Sequence, residues 1–426
     1  MKRVLIIAYY WPPAGGPGVQ RWLFFVKYFR EFGIEPVVYI PENATYPLQD
    51  ESFLKEVPAT IEIISRPIKE PYRFAKWFSK KKTAQMSSGI IAKKNLSAIE
   101  KLLLYIRGNF FIPDARIGWV KPSVAYLKKY LFEHPVETVV TTGPPHSLHL
   151  IGLQLKKECK LPWVADFRDP WTTIHYHESL RLSASSRRKH KQLEASVLQQ
   201  ADAVTVTSAT TKKQFELITP KTVHLVTNGF EPKAEITAKL DAKFSLAHIG
   251  SLLAERNPIV LWEVVSELAA EVKGFREDVE ITLAGVVGDS ILRSLSSFGL
   301  SANIRNLGYV SHDEAVQLQH NAQILLLLEI DSPETKVIIP GKLFEYLSAQ
   351  RPIIALGPEG SDVKEIITTT ESGYYFNPSQ KNQLKEQLLT YYRKFQQGTL
   401  HSTSKEIESY SRKNLTQKMA QILKLY

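Results

Sequence analysis

One pattern constrains this chain more than any other. Short apolar runs of strand length are each followed by a turn and a helix-length segment, through most of its 426 residues. Such alternation builds parallel sheets covered by helices on both faces. Residues 3–9 (RVLIIAY) form the first run, and the loop WPPAGGPG follows. A helical pattern extends from Val19 to Phe32, with Gly33 as its stop, and residues 35–40 read as the second strand. From Pro67 to about Pro122 the pattern is irregular and reads as an insertion with amphipathic helical pieces. Regular alternation then resumes, with strands at 137–142, 162–166 and 203–208 and helices at about 148–158 and 184–200. Asn228-Gly229 ends a short strand segment, 223–230, in a turn.

Around 231–242 the chain turns polar, as a linker does, and a second series begins. Its strands are expected at 244–250, 279–285, 304–310, 324–329, 352–356 and 373–376. Helices are expected at about 258–272, 312–321, 341–349 and 361–369, and the stretch 379–425 reads as mostly helical. The expectation is an α/β chain of two Rossmann-like domains facing a cleft, 1–235 and 240–400. The first carries the insertion at about 66–122. A final helix, 401–426, is expected to pack back toward the first domain. Ligands in such sheets sit at the C-terminal ends of the strands.

Composition excludes several classes. A single cysteine, Cys159, rules out an intramolecular disulfide and a Cys-rich zinc site. No uninterrupted apolar run reaches 18 residues, so no transmembrane helix is expected. The N-terminal MKRVLIIAYYW flows into a Gly/Pro loop without a small-residue cleavage site, and reads better as a buried strand than as a signal peptide. A reducing cytoplasm is the expected compartment. The net charge of +11 is unevenly placed. Residues 1–240 hold 35 Lys/Arg against 21 Asp/Glu, a balance of +14, and residues 241–426 hold 19 against 22, a balance of −3. An anionic partner is therefore expected at the first half.

Several residues stand where such a fold puts chemistry. Gly15 and Gly16 let backbone N–H groups approach a phosphate, and the next helix N-terminus adds positive charge; a plain tight turn among prolines is the alternative. Arg21, early in that helix, could face an anion or water. Arg256 precedes Asn257, read as an N-cap, and Pro258, read as N1, so a guanidinium and a helix start converge at a strand end. Lys342 and Glu345, three apart, share a face after Pro340-Gly341. His146 follows a strand and a Gly-Pro-Pro turn. Asp166, Arg168 and Asp169 form a charged cluster after an apolar strand, either a site or an Arg–carboxylate lock. Asp169 or Asp166 could orient a hydroxyl or take its proton. The segment DFRD is not a DXD metal motif, and no His/Cys cluster has ligand spacing, so neither metal nor cofactor is expected.

Six segments in order resemble the GT4 family of GT-B fold glycosyltransferases, in a bacterial surface-polysaccharide branch. They are PPAGGPGVQRW, DFRDPW (166–171), TNGF (227–230), HIGSLLAERNP (248–258), NLGYVSHDEAVQLQHNAQILLLL (306–328) and PGKLFEYLSAQRPIIAL (340–356). The resemblance implies an acceptor-binding first domain and a donor-binding second domain. It implies a donor site of Gly15, Gly16, Arg256, Lys342 and Glu345, with the Tyr309 and Val310 backbone toward the nucleobase. Glu345 would accept the ribose hydroxyls, and His146, Asp166, Arg168 and Asp169 would be the catalytic candidates. Two departures stand out. The family's Arg after the first C-domain Gly is Ser251 here, so its role falls to Arg256, alone or with Lys342. The first of two Glu near the donor helix falls on Val337.

Between Arg66 and Lys82 lie seven basic residues and one acidic residue, interleaved with aromatics. Arg73, Lys76, Trp77, Lys80, Lys81 and Lys82 are candidates for an anionic membrane face or an acceptor. Nucleic acid fits the same composition but not the family; a solvated helix with inward aromatics is the bland alternative. The expected function is metal-independent, hexosyltransferase-like transfer from a nucleotide-diphosphate sugar to a lipid-linked or glycan acceptor. Retention of configuration is expected, in cell-surface polysaccharide synthesis, with the protein cytoplasmic and at the inner membrane face. The alternatives are a GT-B sugar-nucleotide epimerase and a non-catalytic membrane- or nucleic-acid-binding scaffold. A Rossmann dehydrogenase fits less well, since GGPG lacks the third glycine.

Overall fold

The computed structural model describes residues 1–70, 98–174, 177, 180–232 and 236–426. The candidates Arg73, Lys76, Trp77, Lys80, Lys81 and Lys82 lie outside the described residues. The chain forms two compact units. One is Met1–Asn228 with Arg412–Tyr426, and the other is Gly229–Ser411.

The first unit is built on a parallel sheet of seven described strands in the order β3-β2-β1-β4-β5-β6-β7. These are β1 (Lys2–Ile7), β2 (Ile34–Pro41), β3 (Glu62–Arg66), β4 (Thr138–Gly143), β5 (Trp163–Phe167), β6 (Ala203–Val206) and β7 (Val223–Leu225). Its helices are α1 (Pro17–Tyr28), α2 (Ala98–Phe110), α3 (Ile117–Glu133), α4 (Ser147–Cys159), α5 (Ala184–Gln200), α6 (Ala209–Glu216) and the C-terminal α14 (Arg412–Leu425). Alternation along β1 sorts two cores. Leu5 and Ile7 pack with Trp119, Leu127 and Ile151, while Val4 and Ile6 pack with Trp22, Phe25, Met419 and Leu423. Each such side chain, fully buried, contributes about 1.5–3 kcal/mol.

The second unit has six described strands in the order β10-β9-β8-β11-β12-β13, again parallel. These are β8 (Phe244–Ile249), β9 (Val279–Ala284), β10 (Ile304–Gly308), β11 (Ile324–Leu328), β12 (Ile353–Leu356) and β13 (Gly373–Phe376). Its helices are α7 (Ile259–Glu271), α8 (Phe275–Asp278), α9 (Asp289–Ser297), α10 (His312–Asn321), α11 (Gly341–Ala349), α12 (Asp362–Thr369) and α13 (Lys381–Gln396). Leu246 packs with Trp262, Leu268 and Leu388, while Ala247 and Ile249 face Leu343, Leu347 and Ile367.

Strand order reverses beside β1 in one sheet and beside β8 in the other. Those switch points open the crevices where such sheets bind ligands. In the first unit they carry the loops after β1 and β4, hence Gly15, Gly16 and His146. In the second they carry the loops after β8 and β11, hence Gly250 and Glu329.

Candidate active site

In the second unit, four charged or ionisable groups converge at the ends of β8 and β11. Gly250 leaves β8 at φ 127°, a conformation costly for any residue with a Cβ. A Cβ there would lie 2.6 Å from the Lys342 Nζ, so the lysine occupies the space that a side chain would fill. Lys342 Nζ also lies 3.2 Å from His248 Nε2, and His248 Nδ1 lies 3.0 Å from the Leu326 carbonyl oxygen. A carbonyl only accepts, so Nδ1 carries the hydrogen and Nε2 receives one from the ammonium. Burial, then the Lys342 charge, pushes the His248 pKa down to about 3. Burial, then the Arg256 charge, lowers Lys342 to about 8. Two cations thus face each other at incomplete solvation, an arrangement that a diphosphate would relieve.

Arg256 ends the 3-10 turn Ala254–Arg256 and is half-buried, and its guanidinium has no ion pair or hydrogen bond among the described residues. The expected capping differs. Asn257 does not cap α7; its Oδ1 accepts from Trp262 Nε1 at 2.9 Å, and Pro258 stands at the N-cap. The indole, unavoidably buried beside the helix start, claims the amide that a cap would need. Helix α11 likewise begins at Pro340 with no side-chain cap, which leaves its first N–H groups for another acceptor.

Glu345 lies on α11, and its Oε2 accepts from Gln319 of α10 at 2.9 Å. Tyr309 is 88% exposed, and Val310 packs partly on the core. Two participants escaped the sequence reading. His248 was legible only as a polar residue inside an apolar strand. Glu329 follows β11 directly, buried, with Ser361 Oγ 3.1 Å from each carboxylate oxygen. Burial raises its pKa to about 7, against the Tyr375 and Ser361 hydrogen bonds and the Arg256 charge.

In the first unit, Gly15 N donates to Leu48 O at 2.9 Å. Gly16, at φ 88°, is the N-cap of α1 and leaves that helix start without a side-chain cap. Arg21 corrects its expectation. It is not free for an anionic ligand, because its Nη2 and Nε bind Asp166 and its Nη1 donates to Thr227 O at 2.9 Å. Asp166 is fully buried and also accepts from Trp22 Nε1 (2.7 Å), Thr142 Oγ1 (2.9 Å) and Thr205 Oγ1 (2.7 Å). Burial alone would raise its pKa, but Arg21 and these donors hold it below the usual value. With both oxygens engaged, Asp166 takes the lock role and has no lone pair presented to an acceptor hydroxyl.

Arg168 ties the first turn of α1 to the loop after β4. Its Nη1 donates to Gly18 O at 2.8 Å, and its Nη2 donates to Pro144 O. Both terminal nitrogens are thereby engaged with backbone carbonyls, and its Nε has no partner among the described residues. Asp169 is half-buried and lies within reach of the Arg168 charge. His146 is the N-cap residue of α4, but Asp114 does the capping, accepting from Ser147 N and Oγ at 2.8 Å each. The His146 ring stacks on Trp171 with centroids 4.8 Å apart, and neither ring nitrogen has a hydrogen-bond partner among the described residues. Burial, then the neighbouring His149 and Arg168, pushes its pKa well down. His146 is thus a neutral imidazole with unspent hydrogen-bonding capacity. Among the described residues no group of three or more His, Cys, Asp or Glu is placed to hold a metal ion.

Comparison with known proteins bears on the fold and on the second unit's domain. Residues 243–394 match the family model "Glycosyl transferases group 1". No curated protein matches the chain. Among solved structures, Anabaena Alr3699/HepE in complex with UDP-glucose is similar at 12% identity and TM-score 0.60, with 100% of each chain covered. Sucrose-phosphate synthase from Thermosynechococcus elongatus is similar at 12% identity and TM-score 0.59, covering 100% of this chain and 99% of that one. The UDP-GlcNAc 2-epimerase from Methanocaldococcus jannaschii is similar at 12% identity and TM-score 0.52, with 100% of each covered. At such identities the structures establish the fold alone. With a group 1 domain in its second unit and the GT-B fold throughout, the chain is a glycosyltransferase.

Proposed function

We propose that the chain moves a sugar from a nucleotide-diphosphate sugar to a lipid-linked or glycan acceptor, with retention, in cell-surface polysaccharide synthesis. The observation that carries the donor half is Lys342 over Gly250, bonded to His248 and beside the unpaired Arg256. Two cations and an uncapped helix start suit a diphosphate whose charge grows as the glycosidic bond breaks. Arg256 and Lys342 would hold the leaving diphosphate, and Glu345 the ribose. UDP-glucose bound to the similar Alr3699/HepE supports a nucleotide-sugar donor. On the acceptor side, Asp169 and His146 remain the candidates to meet the incoming hydroxyl.

A membrane-borne acceptor draws support from α2. Leu102, Leu103, Tyr105, Ile106 and Phe110 are all exposed on it, more apolar surface than a solvated helix needs. No helix among the described residues is long and apolar enough to cross a membrane. Surface binding therefore suits α2 better than insertion.

The test is direct. UDP, GDP and ADP, each added to the chain, should raise its melting temperature selectively for one base. The product anomer should retain the donor's configuration; an inverted product sinks the retaining mechanism. The epimerase reading draws on a similar fold, at TM-score 0.52 against 0.60 for Alr3699/HepE, and on nothing in the group 1 match. It predicts donor turnover without acceptor and a free epimer or glycal.

A further inference from the structure

The donor residues and the Asp166 lock leave one cavity of the first unit unexplained. A pocket of about 170 Å³ is lined by Thr172, His177, Leu182, Arg187 and Lys191. Water occupies about 30 Å³ in the liquid, so the space suits a phosphate with part of a sugar. Arg187 and Lys191 lie one turn apart on α5 and share a face. Both are exposed, and neither pairs with a carboxylate among the described residues. His177 is 9% exposed, and its Nε2 has no hydrogen-bond partner among the described residues. The carboxylate nearest in sequence on that helix face, Glu194, is already engaged. It accepts from Thr172 N at 3.0 Å and Thr172 Oγ1 at 2.5 Å, which also fixes the threonine wall.

The other wall is fixed from α2. Asn109 donates to Arg181 O at 3.2 Å and accepts from Ser183 N at 2.8 Å, so Leu182 is held between two anchored residues. Gly108 sits so close that a Cβ would meet the Leu180 carbonyl at 2.7 Å. The helix with the exposed apolar side chains therefore borders the pocket. Among the described residues, two cations without a carboxylate partner and a ring nitrogen without a hydrogen-bond partner surround one small volume and match the oxygens of a phosphate, while Thr172, its hydroxyl hydrogen already given to Glu194, supplies only a wall.

We propose that this pocket is a subsite for a phosphate group carried by the acceptor. The idea rests on the transferase reading above and names its acceptor class, a phosphorylated glycan or a lipid phosphate. The phosphate would take charge-assisted hydrogen bonds from Arg187 and Lys191, each worth enough that losing both costs about tenfold or more in affinity. The border with α2 would let the same pocket serve a phosphate emerging from a membrane surface.

The test uses the full chain saturated with UDP, so that the donor region is occupied. Binding of glucose 1-phosphate is measured by calorimetry. Binding to phosphatidylcholine vesicles with and without phosphatidic acid is measured by sedimentation. The variant R187A/K191A is compared with R188A/K189A, which removes the same charge from the same helix outside the pocket. The expected result is a loss of about tenfold or more in R187A/K191A alone, with UDP affinity unchanged in both. Loss toward glucose 1-phosphate points to a soluble or terminal phosphate, and loss toward phosphatidic acid vesicles to a lipid phosphate. Equal losses in the two variants, no loss in either, or no binding by the unmodified chain in both arms overturns the proposal. Failure of the unmodified chain to bind any nucleotide instead sinks the transferase reading by itself.

Discussion

The two units put charge at the same topological place and use it in opposite ways. Behind the first switch point, Asp166 and Arg21 neutralise each other, and three further donors finish the carboxylate. Behind the second, Lys342 leans on a neutral imidazole, and the Arg256 guanidinium forms no ion pair among the described residues. A buried pair removed from one side leaves a stranded ion, whereas unpaired cations await a ligand. The first arrangement spends its charge on the fold. The second keeps its charge for binding.

The largest test of that contrast is Asp166→Ala. It strands the Arg21 guanidinium and should cost about 3–5 kcal/mol in urea unfolding. A cost under 1 kcal/mol would erase the distinction between the units. Next is Arg256→Ala, expected to lower turnover by about 10²–10³ with stability changed by less than about 0.5 kcal/mol. Unchanged turnover would remove Arg256 from the leaving-group site. Gly250→Ala follows, straining a left-handed position and displacing Lys342; a loss of about 1–3 kcal/mol in thermal unfolding is expected. The smallest is Lys342→Met, with about tenfold weaker diphosphate binding. Its pH signature is sharper than its size. Lys342 titrates near 8 in the free chain, and only the ammonium favours a diphosphate. Affinity should therefore hold below pH 8 and fall as pH rises above it, with that fall absent in Lys342→Met.

The legible parts of the fold were those where burial leaves a periodic trace. The helix Ala184–Gln200 and the strand Gly373–Phe376 lie at their expected bounds. Strand β3 was not legible, because it is an edge strand with mostly exposed side chains and no apolar run to read. Helix α3 was hidden by Pro122 in its interior, and α9 by its serines. At the site, residue types and order pointed to Arg256, Lys342 and Glu345 together. Pairing was a different matter. Nothing in the spacing says that Arg21 meets a residue 145 positions away, or that Lys342 meets one 94 positions away. The DFRD cluster shows this most clearly. Its two carboxylates stand three positions apart, yet one is sealed within the sheet and the other lies half-exposed beyond it.

Helix α14 lies with the first unit although the second unit's chain precedes it. Its Leu415, Met419 and Leu423 complete the core around Trp22 and Phe25. During synthesis the second unit, contiguous from Gly229 to Ser411, can close while the first still waits for that helix. The half that emerges first from the ribosome is thus the half that matures last. For an interval it exposes a long apolar stripe on α1, and it should then be the more dependent on chaperones.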